Sequence, residues 1–312
     1  MDILADWLRM MGTSGVLLAR SRMSAPWGMH LAPSNDVIFH IVIEGSCWLR
    51  RAGAPPLLLQ RGDLVLLPRA MGHDLVHHPE AHAKPIAQLV ESPPPIRSGA
   101  PLATIVCGAY CSDVQLAQPM LHSLPPVAHF TAAQVHANPA LSATLALLTA
   151  EVEQPGPGGE ALIHHLFDVL FLYVVRAWAA ESTERSGWLW ALKDPALAKA
   201  LARIHAEPAA RWTVEAMAHE ANLSRAAFAR RFTEKMGEPP LTYLTRWRMG
   251  LAARLLVTSE ASLAEVAQQV GYDSEFAFSR AFKRTRGLAP EIFRRAARSS
   301  GIDHIVEPGH RR

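Results

Sequence analysis

Six residues recur fifty positions apart in the last third of the chain. Ser224, Phe228, Arg230, Phe232, Gly237 and Pro240 return in register as Ser274, Phe278, Arg280, Phe282, Gly287 and Pro290. The two segments read SRAAFARRFTEKMGEPP and SEFAFSRAFKRTRGLAP. Phe-x-Arg-x-Phe sets two rings one helical turn apart on a buried face, with the arginine turned away from it. Glycine five residues after the second ring predicts the helix C-terminus, and the following proline bars continuation. A duplicated unit constrains the fold strongly, because the chain needs the same surface twice.

The residues upstream of each copy identify that surface. VEAMAHEAN precedes Ser224 and LAEVAQQVGYD precedes Ser274. Val214, Met217 and Ala218, and then Leu263, Val266 and Ala267, predict two short amphipathic helices. Asn222 and Gly271 each follow the small alanine by four residues and tolerate a left-handed backbone. Ser224 and Ser274 are then placed to cap the next helix. This is the spacing of a helix-turn-helix, written twice, with one extra residue in the second turn.

From about Ala191 to Arg298 the sequence resembles the AraC-type transcriptional regulators, whose DNA-binding region carries two such units. The tracts WTVEAMAHEANLSRAAFARRFTEKMGEPPLTYLTRWRMGLAARLL and GYDSEFAFSRAFKRTRGLAP carry the resemblance, joined through Trp247, Arg248 and Met249. Charge agrees. From Ala191 to Arg312 there are 20 Lys and Arg against 13 Asp and Glu, a balance of +7; the preceding residues hold 11 against 15, or −4. Clustered cations favour a polyanion, so double-stranded DNA is the expected partner of the basic part. The N-terminal side chains of each second helix are expected nearest the bases. In the first unit these are Ser224, Arg225, Ala226, Ala229 and Arg230; in the second, Ser274, Glu275, Phe276, Ser279 and Arg280. A linker helix over about 241–256 is expected to hold the two apart.

The N-terminal part has a different rhythm, of short β-rich runs. Strands are expected over 37–43, 64–67 and 102–110, separated by Gly- and Pro-rich turns. GDLVLLPRAMGH resembles the second motif of the cupins, with Ala70 where that family has glycine, and FHIVIEGSCWLR extends the likeness over about Trp7 to Phe130. The resemblance implies an antiparallel β-barrel acting as sensor. ALSATLALLTAEVE and EALIHHLFDVLFLYVVRAWAA follow as two apolar helices broken at 154–159. The second is apolar around much of its circumference, which suits a homodimer interface or intramolecular packing.

His40, His73 and His77 fall where cupin strands would carry ligands, and His73 occupies the ligand position of the second motif. The first motif is degenerate, with Ile38 where a glutamate ligand is expected. Three well-placed ligands are needed for zinc, copper or iron. These histidines, with Cys107, are therefore read as lining a pocket for a small-molecule effector, with no cofactor assigned and a metal at His40, His73 and His77 kept as the alternative. His78 and His82 are placed on a solvated loop. Cys107 and Cys111 would share one strand face about 13 Å apart, too far to pair without a turn after Gly108. Cys47 is read as packing.

The first thirty residues hold Asp2, Asp6, Arg9, Arg20 and Arg22, so no signal peptide is expected. No stretch reaches the roughly 20 apolar residues of a membrane span. Three cysteines then suit a reducing, cytoplasmic setting with no membrane partner. The expected architecture is α+β in two domains: a cupin-like β-barrel sensor with flanking helices (1–130), a helical dimerisation and linker segment (131–187, the linker itself 181–187), an all-α domain with two helix-turn-helix units (188–298) and a disordered tail (299–312). The expected function is a DNA-binding regulator, not an enzyme, engaging RNA polymerase if it is an activator. The alternatives are a cupin metalloenzyme with a helical appendage, or a redox- or metal-responsive regulator.

Overall fold

The structure is a computed structural model that describes residues 14–34, 36–69, 71–91, 95–99, 102–111, 121, 124–181, 191 and 193–299. The chain divides into two compact units, one holding the strands and the helices up to Glu181, the other the helices from Pro195 onward. The expected linker beyond Glu181 and the tail from 300 lie outside the described residues, as does Ala70.

Among the described residues, ten strands form two five-stranded sheets. The first orders β1 (Ser14–Ser24), β9 (Leu102–Cys111), β3 (Val37–Glu44), β6 (Leu64–Leu67) and β10 (Ala128–Phe130), all antiparallel. The second orders β5 (Leu57–Gln60), β4 (Ser46–Arg51), β7 (His73–Val76), β2 (Gly28–Leu31) and β8 (Lys84–Pro85), with β2 and β8 parallel. The sheets do not close into the expected barrel. Closure requires the outer strands to bond across the gap, and β8 and β10, two and three residues long, end their sheets instead.

The core between the sheets takes Ile38 and Val42 from β3, Ala103, Ile105, Cys107 and Ala109 from β9, and Leu49, Leu59 and Leu75 from the facing sheet. The alternate residues of β3 and β9 look the other way, onto α4 (Gly159–Glu181). Phe39 meets Phe167 and Phe171 at centroid distances of 5.9 and 6.4 Å, and Tyr110 stacks on Phe171 at 4.9 Å. Burial on both faces explains why β3 reads as a continuous apolar run rather than an alternation. A Cβ added to Gly15 would lie 2.1 Å from the Phe167 Cβ, and one added to Gly108 2.3 Å from its ring, so two bare backbones form the socket for Phe167. Contrary to the sequence reading, Gly159–Ala180 is long and apolar enough to cross a membrane. Its Phe167, Leu170, Phe171, Val174 and Val175 are buried, while Leu162 and Val169 are exposed. In front of it, α2 (Ala132–Ala137) and α3 (Pro139–Glu153) are capped by Thr131 and Asn138.

Among the described residues, every element of the second unit is a helix. α5 (Pro195–Ala206) begins on Asp194, whose carboxylate accepts from the Ala196 and Leu197 amides. α6 (Val214–Glu220) and α7 (Arg225–Met236) form the first copy; α9 (Leu263–Gln269) and α10 (Glu275–Arg286) form the second. α8 (Pro240–Thr258) joins them, and α11 (Pro290–Ser299) closes the second bundle. Met249, Ala252, Ala253 and Leu256 of α8 pack against Val266, Ala267, Phe278 and Phe282 of the second copy.

Candidate nucleic-acid interface

The two copies fold alike down to single hydrogen bonds. Asn222 (φ +54°) and Gly271 (φ +79°) both adopt the left-handed backbone expected of them. The Leu223 amide donates to the Ala218 carbonyl at 2.9 Å, and the Tyr272 amide to the Ala267 carbonyl at 2.9 Å, so both first helices end in the same bonded turn. The extra residue of the second copy, Asp273, falls after this turn and leaves it intact. Ser224 then accepts from the Ala227 amide at 3.3 Å and Ser274 from the Ala277 amide at 3.2 Å, capping α7 and α10. Both helices have twelve residues and stop at a left-handed glycine, Gly237 or Gly287. Phe228, Phe232, Phe278 and Phe282 are fully buried.

Opposite those rings the side chains face solvent. Arg225, Ala226 and Arg230 are exposed and Ala229 is half-buried; Glu275, Phe276 and Arg280 are exposed and Ser279 is half-buried. Phe276 is 72% exposed, unusual for an aromatic ring. The Arg280 guanidinium lies 5.7 Å from its centroid, a cation–π contact that directs the arginine along the helix surface. Arg225 pairs with Glu215 at 2.8 Å, so its charge is partly matched before any polyanion arrives. Arg231, next to Arg230, does something different. Its Nε donates to Asp194 at 2.6 Å and ties α7 to the start of α5. The sequence reading passed over α5, although Asp194-Pro195 is a cap followed by proline at the first helical position. Lys283 and Arg284 add exposed cations farther along α10.

In the β-domain, three of the four candidate sensor residues meet. His40 Nε2 lies 2.8 Å from His73 Nε2, and His40 Nδ1 lies 3.1 Å from Cys107 Sγ. The His73 Nδ1 faces the Met71 carbonyl at 3.0 Å. A carbonyl only accepts, so His73 carries its proton on Nδ1 and offers a bare Nε2. His40 must then donate from Nε2, leaving its Nδ1 to accept from the Cys107 thiol. The result is a directional chain of three hydrogen bonds spanning the two sheets, with both imidazoles neutral. Burial agrees: it holds the pKa of His40 well below the ordinary histidine value, lowers that of His73, and raises that of the Cys107 thiol.

His77 does not join them. It lies just beyond the end of β7, and its Nδ1 sits against the Trp27 backbone, 2.7 Å from the carbonyl oxygen. His78 and His82 are exposed. A metal would need three converging donors, yet Cys107 and His73 lie on opposite nitrogens of His40. Among the described residues no group of three His, Cys, Asp or Glu is arranged to hold an ion, and these residues do not fit one. The metalloenzyme alternative relied on that triad. β9 runs on through Gly108 without a turn; the Cys111 side chain lies outside the described residues.

Residues 2–180 match the family described as Cupin, and residues 217–296 match a helix-turn-helix domain family. The HTH-type transcriptional regulator AlkR of Acinetobacter baylyi is 31% identical over 281 residues, covering 86% of this chain and 90% of its own. An AraC-like transcription regulator of Streptomyces lividans is 32% identical over 312 residues, covering 95% and 98%. The solved DNA-binding domain of AdpA, in complex with a target DNA, is 35% identical and covers 34% of this chain and 96% of that one, at a TM-score of 0.33. With its cupin-type β-domain followed by a twice-built helix-turn-helix, the chain belongs to the AraC-type family of DNA-binding transcriptional regulators.

Proposed function

We propose that this regulator binds DNA as a dimer, with α7 and α10 of each protomer entering successive major grooves, and that its β-domain senses a small-molecule effector. The observation that carries the reading is the equivalence of α7 and α10, which share length, cap and buried rings. α8, nineteen residues long, spans about 28 Å, on the order of one turn of DNA. The side chains offered to the bases are Arg225, Ala226, Ala229 and Arg230 in one groove and Glu275, Phe276, Ser279 and Arg280 in the next. Ser224 and Ser274 set each helix start, where backbone amides favour a phosphate. Ala226 and Ala229 offer only apolar contact, such as to a thymine methyl, so hydrogen-bond readout in the first unit falls on the arginines.

The segment 131–187 is assigned to dimerisation. Leu147 of α3 and Leu162 and Val169 of α4 are 61%, 51% and 38% exposed, apolar surface that a second copy would cover. The sensor reading rests on His40, His73 and Cys107; His77 has no part in their chain of bonds. If the protein activates transcription, RNA polymerase is its further partner. The division at about 130 and 188, with a tail from 299, completes this reading.

The test uses the full-length chain and duplexes selected from a randomised pool. Affinity should fall steeply with salt, in proportion to the phosphates contacted, and light scattering should give twice the chain mass. Binding indifferent to both salt and sequence would refute recognition by the two helices; a monomer on and off DNA would refute the dimer.

A further inference from the structure

Within the helical unit, the two copies are joined by more than α8. Arg248, midway along that helix, donates from Nε to the Pro208 carbonyl at 2.8 Å and from Nη2 to the Ala210 carbonyl at 2.8 Å. Both carbonyls belong to the loop that leads from α5 into the first helix-turn-helix. The same guanidinium lies 5.9 Å from the centroid of Tyr272, in the turn of the second one. Beside it, a Cβ on Gly271 would fall 2.7 Å from Arg248 Nη2 and 2.8 Å from the Ala209 Cα, so the second turn is seated directly on the first unit's loop. Arg211 and Asp273 bridge the same two segments at the surface, 3.8 Å apart.

We infer that Arg248 is a positioning residue for DNA recognition: by clamping the turn of the second unit to the loop of the first, it fixes the rotational phase between α7 and α10. The inference rests on the reading that those helices enter successive grooves. α8 alone sets their distance; rotation of either bundle about the α8 axis is a separate freedom. One base pair advances the groove by about 34–36°, so a small rotation moves a recognition helix to the wrong pair. A guanidinium suits this role because its rigid fork holds two acceptors at a defined angle while its flat face lies on a ring. Lysine, a point donor, cannot span both carbonyls. Burial lowers the arginine's pKa, with the tyrosine beside it acting in the opposite sense.

The experiment compares the full-length wild type with Arg248→Lys and Arg248→Ala. The probes are a duplex selected by the wild type from a randomised pool, and derivatives with one base pair added or removed between the two contacted grooves. The wild type should lose on the order of tenfold in affinity for each such change, as for a mismatched contact. Both variants should bind the parent duplex several-fold more weakly while losing no more than about twofold on the altered spacings, because a loosened joint adapts to them. A residue that merely supports folding would lower the active fraction and leave the ratio between spacings untouched; an unchanged ratio overturns the inference. Asp273→Ala removes an exposed side chain outside the core and should shift the ratio the same way by less, which keeps the test decisive if Arg248→Ala does not fold. A wild type indifferent to spacing would refute the two-groove reading itself, and the clamp with it.

Discussion

The sharpest test of the duplicated unit is a pair of substitutions two residues apart, Arg280→Ala and Phe282→Ala. Phe282 is fully buried, with its ring 5.7 Å from Phe278 and 5.4 Å from Phe293. Emptying that volume should cost about 3–5 kcal/mol. Against a domain stability of about 5–15 kcal/mol, this leaves the helical unit marginal. At roughly 4–8 °C per kcal/mol for a domain of this size, the melting point should fall by about 12 °C or more. Arg280 is exposed, and its contact with the Phe276 ring is worth about 0.5–1 kcal/mol at such a site, so its loss should move melting by only a few degrees. The DNA assay should reverse the order. At a temperature where both variants are folded, Arg280→Ala should lose about 1–3 kcal/mol and relax preference at one base pair if it grips guanine. If it grips phosphate, binding should weaken on all sequences and the salt slope shrink by about one. Thermal unfolding by circular dichroism and fluorescence anisotropy read the two halves. An Arg280→Ala that unfolds, beside a Phe282→Ala that melts like the wild type, would exchange the assigned faces and end the recognition-helix argument.

His205 stacks on Trp247 at 3.5 Å and contacts the Tyr243 hydroxyl at 2.6 Å, and burial pulls its pKa down to about 3. Unfolded, it takes a proton near pH 6.5, so its neutral form contributes full stability above that pH and stability falls by roughly 1 kcal/mol per pH unit as pH drops toward about 3. Urea unfolding of His205→Phe should show a flatter acid limb than the wild type; parallel limbs would refute this. At the turns, Asn222→Gly should be neutral within about 0.5 kcal/mol, whereas Gly271→Ala should cost more than about 2 kcal/mol, since left-handed strain adds to overlap with the Ala209 backbone. Equal costs in denaturant titrations would show that the two turns are not packed differently.

The parts legible in the sequence are those decided by neighbours in the chain. The Phe-x-Arg-x-Phe phase, the Ser224 and Ser274 caps and the left-handed positions at 222 and 271 depend on fewer than ten residues each, and local chemistry fixes them. The strand order β1-β9-β3-β6-β10 does not, since it brings together segments from opposite ends of the β-domain. Whether such sheets close depends on the length of their last strands, which alternation does not reveal. The His40–Cys107 contact links residues 67 apart and follows from a register that pairs those two positions directly across β3 and β9. His77 follows His73 by only four residues, but β7 ends at Val76 and the side chain turns to the Trp27 backbone. Nothing in the local sequence sets Arg231 and Arg248 apart from the other cations; only the fold shows that Arg231 ties α7 to the start of α5 and that Arg248 ties α8 to the loop before α6.

The socket around Phe167 has a further consequence, for how such chains can diverge. Gly15 and Gly108 lie on neighbouring strands 93 positions apart, and neither leaves room for a methyl group: at Gly108 it would strike the Phe167 ring, at Gly15 the Phe167 Cβ. A mutation at Gly108 is harmful on its own but tolerable once position 167 has become small, and a small residue at 167 leaves a hole until position 108 gains a side chain; Gly15 is barred by any residue at 167 that has a Cβ. Positions 108 and 167 therefore drift as a pair, with an unfit intermediate on each single-step route, while Gly15 stays fixed. Relatives that keep this ring should keep both glycines, and those that lack it should be free at 108 while keeping glycine at 15.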